Sequence, residues 1–293
     1  MKKITLLMFA AALTGVASAQ NDSSSVTGEK RDTIRIGNII IVKKGKQPQE
    51  KDNDNVEITM GRKARGNAKT TTNWFVMDLG FSNYTDKTDY SNTGNYLVSR
   101  PGYATLGKGD FKLRTGKSLN VNIWIVMQRL SLYKNHLNLK YGLGLELNNY
   151  RYKSPLSYSE GGTIPYSGGM QTSDAFIFRD SIAFSKNKLA ADYVTVPLML
   201  NFTSHPWKSN KGVRISAGVS AGYLYSQRNK QKSEERGKQR NKGEYDMERF
   251  KLSYIAELGL GPVKLYGSYS PKSMYEHSLD IRPYTVGFRF GNL

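Results

Sequence analysis

The sequence predicts an all-β protein: an eight-stranded antiparallel transmembrane β-barrel behind a mostly disordered N-terminal periplasmic arm. Three observations predict it. Apolar residues recur at every second position over stretches of about ten residues, the pattern of strands with one greasy and one polar face. No later stretch approaches the roughly 18 consecutive apolar residues of a membrane-crossing helix, so a membrane passage would have to use a closed sheet. The connections between strands alternate long and short, which gathers the long ones at one end.

The N-terminus sets the compartment. Lys2 and Lys3 precede an apolar run from Ile4 to Val16, and Ala17-Ser18-Ala19 follows. These are the parts of a secretory signal peptide, so residues 1–19 are expected to be cleaved and the protein exported. Residues 20–72 form the arm, rich in Asn, Asp, Lys, Gln and Gly, with "KKGKQPQEKDNDN" as its linker-like part. One island in it, "TIRIGNIIIVKK" (33–44), has the composition of a short strand or hairpin.

The barrel domain spans 73–293. Its first strand, "WFVMDLGFS", sets Phe75, Met77, Leu79 and Phe81 against Asp78 and Gly80. "SLNVNIWIVMQ" alternates Leu119, Val121, Ile123, Ile125 and Met127 with Asn120, Asn122, Trp124 and Gln128. "LNLKYGLGLEL" places Leu137, Leu139, Tyr141, Leu143, Leu145 and Leu147 opposite Asn138, Lys140, Gly142, Gly144 and Glu146. "DYVTVPLMLNF" sets Val194, Val196, Leu198, Leu200 and Phe202 against Thr195, Met199 and Asn201, with Pro197 in mid-strand predicting a bulge or a missing ladder bond. "VRISAGVSAGYLY" turns Val213, Ile215, Val219, Tyr223 and Tyr225 away from Arg214, Ser216 and Ser220. "KLSYIAELGL" separates Leu252, Tyr254, Leu258 and Leu260 from Lys251, Ser253 and Glu257. "VKLYGSY" and "PYTVGFRF" complete the set, with Val263, Leu265, Tyr269, Tyr284, Val286, Phe288 and Phe290 on the apolar face and Lys264, Tyr266 and Arg289 on the other.

Roughly 35, 40, 22 and 11 residues separate strands 1–2, 3–4, 5–6 and 7–8, whereas "RLSLYKNH", "SHPWKSNK" and Gly261-Pro262 make the other links. Short periplasmic turns and long extracellular loops are the signature of an outer-membrane barrel. Aromatics near strand ends fit an interfacial girdle: Trp74, Phe81, Tyr84, Tyr150, Tyr152, Phe202, Trp207, Tyr223, Tyr225 and Phe290. A soluble, lipocalin-like barrel would bury the leucines instead. The glycine- and serine-rich polar face and the loop asymmetry favour leucines facing lipid.

At "DYVTVPLMLNF" (192–202) the chain resembles the PorT-like outer-membrane barrel family of the Bacteroidetes, in which a tyrosine and a β-branched residue precede Pro-Leu and an apolar strand. "DTIRIGNIIIVKK" (32–44) is similar to a segment found ahead of such barrels, and the barrel resemblance runs from about 73 to 293. The resemblance implies an outer-membrane location and, through the component that names the family, a link to protein secretion. Leu293 departs from the common terminal aromatic, leaving Phe288 and Phe290 as the signal for the barrel-assembly machinery, a partner during biogenesis.

The predicted lumen carries Asp78, Lys140, Glu146, Arg214, Lys251, Glu257, Lys264 and Arg289. An eight-stranded ring is just wide enough for side chains to fill, so these charges are expected to pair into a plug, not an open pore. A basic loop, residues 227–249, carries Arg228, Lys230, Lys232, Arg236, Lys238, Arg240, Lys242 and Arg249 and would suit lipopolysaccharide phosphates or acidic glycans. The net charge of +19 would suggest nucleic acid in the cytoplasm, but export excludes that partner. Outer-membrane lipid and lipopolysaccharide take its place, and a periplasmic or secretion-system protein is a candidate for the arm.

Catalysis is not expected. The absence of cysteine removes thiol chemistry and thiolate-bound metal. His136 and His205 fall in short turns, and His277 sits in a loop beside Ser273, Glu276, Ser278 and Asp280, where adjacency makes no triad. A lipid-modifying enzyme is the weaker alternative. No spacing of histidines or carboxylates predicts a metal, and no cofactor motif is present.

Overall fold

The computed structural model describes residues 69–206 and 212–291 in full, together with the backbone strands Asp32–Ile36, Ile39–Lys43 and Val56–Met60. The expected signal peptide, most of the expected arm, Trp207 and Leu293 lie outside the described residues. The chain divides into two units, 1–66 and 67–293. In the first, the three strands pair as an antiparallel meander, with Ile34 opposite Ile41 and Ile41 opposite Ile58. The hairpin expected over 33–44 is thus joined by a third strand, "VEITM", whose alternation is too short to stand out from its charged neighbours.

The second unit holds eight long strands: β1 (Thr70–Asp86), β2 (Leu119–Tyr133), β3 (Leu137–Arg151), β4 (Lys186–Thr203), β5 (Val213–Ser233), β6 (Phe250–Leu260), β7 (Val263–Tyr269) and β8 (Ile281–Phe290). Each pairs antiparallel with its neighbours in the chain, and β8 pairs back onto β1, so the sheet closes into a ring. Closure leaves these strands no unpaired edge, the condition for a sheet in lipid. Among the described residues the single helical element is the 3-10 turn Thr115–Lys117.

The ring is apolar outside and polar within. Leu79, Phe202 and Val286 are 44, 51 and 59% exposed on the outer wall. Asp78, Asn120, Asn138 and Asn148 are fully buried inside. An outer surface this apolar is unfavourable in water, and lipid removes the penalty.

One strand leaves the simple alternation at its centre, and another carries a proline there. A bulge at Ile125, where the β2–β3 register slips between Trp124 and Val126, reverses the phase of β2. Met127 therefore faces in, fully buried with Arg129, and Gln128 does not, the opposite of the sequence expectation. Pro197 causes no bulge. It stays in register with Ser220 of β5, while the β4–β3 ladder is interrupted between Thr195 and Leu198. The missing proline donor accounts for that gap.

The turns at 134–136 and 261–262 lie at one end with Thr203 and Val213, and the segments 87–118, 152–185, 234–249 and 270–280 lie at the other. The long segments fold over the ring. Leu97–Val98, Leu156–Ser159 and Phe176–Arg179 form a small sheet, and a buried cluster includes Tyr96, Phe111, Tyr150, Tyr152, Tyr158, Tyr193, Tyr245 and Tyr275. Tyr84, Tyr150 and Tyr152, expected in the outer girdle, instead face inward to this cluster. Period-two order puts Tyr84 on the inward face with Asp78 and Ser82, and Tyr150 with Lys140 and Asn148.

Candidate functional site

Inside the ring, the predicted lumen charges meet as a network. Arg289 donates to both oxygens of Asp78 at 2.6 and 2.8 Å and also to Glu257. Glu257 accepts from Lys140 at 2.7 Å, and Ser216 bridges the two. Lys251 pairs with Glu146. Asn148 donates to Glu146 at 2.9 Å, and Asn120 joins Asn148 to Asn122, which donates to Asp78. The two ion clusters are therefore one hydrogen-bonded system, in which three cations meet three carboxylates. Trp124 completes it, with Nε1 donating to Asp78 at 2.8 Å and its ring 5.5 Å from the Arg289 guanidinium. A balanced, fully hydrogen-bonded set is the arrangement that makes buried charge tolerable.

Arg214 and Lys264 border this network. Their side chains reach the carbonyls of Gly261 and Gly291 at the short-turn end. Arg129 is the inward cation that sequence alternation missed, because the bulge at Ile125 brings it in. At the other end the tyrosine cluster covers the lumen. Tyr158 donates to Tyr152 at 2.7 Å and lies 3.0 Å from the Tyr275 hydroxyl. Burial pushes the hydroxyls of Tyr152 and Tyr245 up to about 12. The interior is filled by ion pairs below and aromatic rings above.

The basic segment expected as a loop is a β-hairpin. β5 continues unbroken to Ser233 and returns as Gly237–Lys242. Period-two order persists here: Asn229, Gln231 and Ser233 are buried, while Lys230 and Lys232 lie on the opposite face. Both faces being polar, composition disguises the strand as a loop. A bulge at Tyr225 shifts the outward phase, so Tyr223 and Tyr225 are followed outward by Arg228, Lys230 and Lys232. Two of the predicted ligand-binding cations are engaged within the protein. Arg228 pairs with Asp192, and Arg236 pairs with Asp180 at 2.9 Å. Arg249 pairs with Glu244 at 3.1 Å.

Register places the remaining cations abreast. Arg151 faces Lys188, Lys188 faces Lys230, and Lys230 faces Arg240. One step outward Lys186 faces Lys232, which faces Lys238, and one step inward Arg228 faces Lys242. Among the described residues, none of Lys186, Lys188, Lys230, Lys232, Lys238, Arg240 and Lys242 has a carboxylate partner. The Lys188 ammonium donates to Asn149 at 2.6 Å.

Among the described residues no histidine joins a serine to a carboxylate. His136 Nδ1 contacts the Thr203 carbonyl at 2.8 Å, and His205 contacts Ser204. His277 Nδ1 lies 2.7 Å from Asp246, 31 residues away in sequence, with Glu276 alongside. Ser273 accepts from the Tyr275 and Ile281 amides and donates to the Leu279 carbonyl, organising its own loop.

Residues 64–271 match the family described as outer membrane protein beta-barrel domain. No curated protein matches the chain. The matched segment stops short of β8, the strand that closes the ring.

Proposed function

We propose that this chain, which belongs to the outer membrane protein beta-barrel domain family, is a non-conducting barrel that binds anionic ligands of the cell surface through its basic hairpin. The observation that carries the reading is the set of seven hairpin and wall cations without a carboxylate partner among the described residues, all beyond one end of the apolar band. In this reading the long-loop end is extracellular and the N-terminal unit is periplasmic. Lipopolysaccharide phosphates suit such a surface, with a strength that falls as salt rises. The lumen and its tyrosine cover supply rigidity.

Reversing Lys238, Arg240 and Lys242 to glutamate is the direct test. Lipopolysaccharide binding at low salt should fall by at least about tenfold. Unchanged binding removes the reading. Purified protein in planar bilayers should stay silent, and a large stable conductance would contradict the closed lumen.

A second reading, an accessory barrel of a protein secretion system, is favoured by the PorT-like stretch at 192–202 and by the separate N-terminal meander. Deletion should then change the secreted proteome. An unchanged proteome discards it.

A further inference from the structure

We infer that the row Arg151, Lys188, Lys230 and Arg240 is a lateral site for a lipid headgroup carrying two phosphates, entered from the plane of the membrane. This rests on the hairpin reading above and deepens it, naming the ligand class and moving the contact onto the wall of the ring.

The row has four strands' width. Its members are directly opposite partners on β3, β4, β5 and the return strand, and neighbouring strands lie about 4.8 Å apart. Four cations so placed cover roughly 14 Å, an array suited to more than one phosphate rather than a point charge. Arginines, which grip phosphate through a planar fork, stand at the two ends, and lysines fill the middle. Arg151 is already oriented by its 2.8 Å bond to the Ser185 carbonyl.

Nothing described within the protein neutralises the row. Like charges directly opposite across strands repel, and Asp192, on the same strand as Lys188, is taken by Arg228.

Depth selects a lipid. On β3 the outward residues run Leu147, Asn149, Arg151, so the row lies four residues, roughly 13 Å of tilted strand, beyond the last leucine. On β5, Tyr223 packs against Phe250 with ring centroids 5.3 Å apart, an aromatic pair of the kind found at an interface, and the cations begin just beyond Tyr225. The row therefore stands at headgroup height beside the bilayer, where phosphates of lipid are held and soluble anions are not concentrated.

The test uses the full mature chain folded in mild detergent, with three probes: bis-phosphorylated lipid A, its mono-phosphorylated form, and inorganic pyrophosphate. Wild type should bind the bis-phosphorylated lipid about tenfold more tightly than the mono-phosphorylated one. Lys188→Gln with Lys230→Gln should erase that preference, and Lys188→Arg with Lys230→Arg should keep it. Lys238→Gln with Lys242→Gln should also keep it. Heat-dependent gel mobility reports that each variant is folded, and the glutamines relieve repulsion rather than create it. The inference is overturned if the Lys188/Lys230 pair can be neutralised without loss of preference, or if wild type has none. Pyrophosphate binding as tight as the lipid's would also overturn it, since the source would be soluble. If only the Lys238/Lys242 variant loses binding, the row fails and the hairpin reading survives.

Discussion

Arg289 and Asp78 stand 211 positions apart in the chain and directly opposite each other where β8 meets β1, joined by bonds of 2.6 and 2.8 Å. That pairing is the seam of the ring, so this contact forms only when the last strand finds the first. The same guanidinium reaches Glu257 on β6 and lies over Trp124 on β2, tying the seam to the rest of the interior.

Replacing Arg289 by leucine leaves Asp78 and Glu257 facing each other without their shared cation. Stability should fall by about 3–5 kcal/mol, as for other buried pairs broken on one side. Urea unfolding in lipid vesicles, followed by the fluorescence of Trp124 beside the site, measures it. Removing both charges, with Arg289→Leu and Asp78→Leu together, should cost less than Arg289→Leu alone, because Lys140 still balances Glu257.

Gly80 and Gly287 face each other one step along the same seam. A methyl group on Gly80 would lie 2.5 Å from the Val286 carbonyl and 2.6 Å from the Tyr266 hydroxyl. Gly80→Ala should therefore cost about 1–3 kcal/mol as overpacking, and Gly80→Val should prevent ring closure. The heat-modifiable gel band reads both outcomes. Shortening Tyr266 to alanine should not restore Gly80→Val, since the backbone contact remains.

Deleting Ile125 takes out the extra residue of the bulge and leaves a regular ladder in which Trp124, Met127 and Arg129 still face in, so insertion into vesicles should be kept. Inserting one residue after Val126 instead turns Met127 and Arg129 to the lipid and Gln128 to the lumen. The fraction that inserts should then drop, with an arginine on the lipid face costing up to about 2–4 kcal/mol by depth. Adding Arg129→Gln to the insertion should recover part of the loss, and failed insertion by the deletion alone would show that the bulge itself is required.

His277 and Asp246 link the loops 270–280 and 243–249. The hydrogen bond that Asp246 accepts, then its charge, raises the His277 pKa above the ordinary imidazole value of about 6.5. A raised folded-state pKa means that the clasp contributes fully below the unfolded pKa and is lost as pH rises through the folded one. Protease cleavage within 270–280 should thus increase across that rise, and Asp246→Asn should lower the titration midpoint seen by NMR. His277→Gln should flatten the pH dependence of cleavage.

Much of the ring was legible. "LNLKYGLGLEL" states its two faces outright, because leucine against lysine and glutamate is a contrast no packing detail erases. The charged set Asp78, Lys140, Glu146, Lys251, Glu257 and Arg289 follows from the same period. The hairpin at 228–242 was not legible as strand, since lysine outside and asparagine or glutamine inside are equally polar in composition. Met127 and Gln128 changed sides at a bulge, and a single inserted residue leaves no mark in an apolar run. Tyr150 and Tyr152 read as girdle because interface and covered lumen both take tyrosine, although Tyr150 falls in step with Lys140 and Glu146 on the inward face.

The sequence by itself determined the closed, inside-out sheet: a solvent of lipid outside and a narrow polar interior are written into every second residue. Tertiary structure decided who meets whom. Ring closure chose Asp78 for Arg289 and lined up Arg151, Lys188, Lys230 and Arg240, because strand register adds across the sheet, and the long segments folded back to cover the lumen with tyrosine. Alternation is a local property of one strand, whereas a counter-charge or a row of cations depends on the stagger between several.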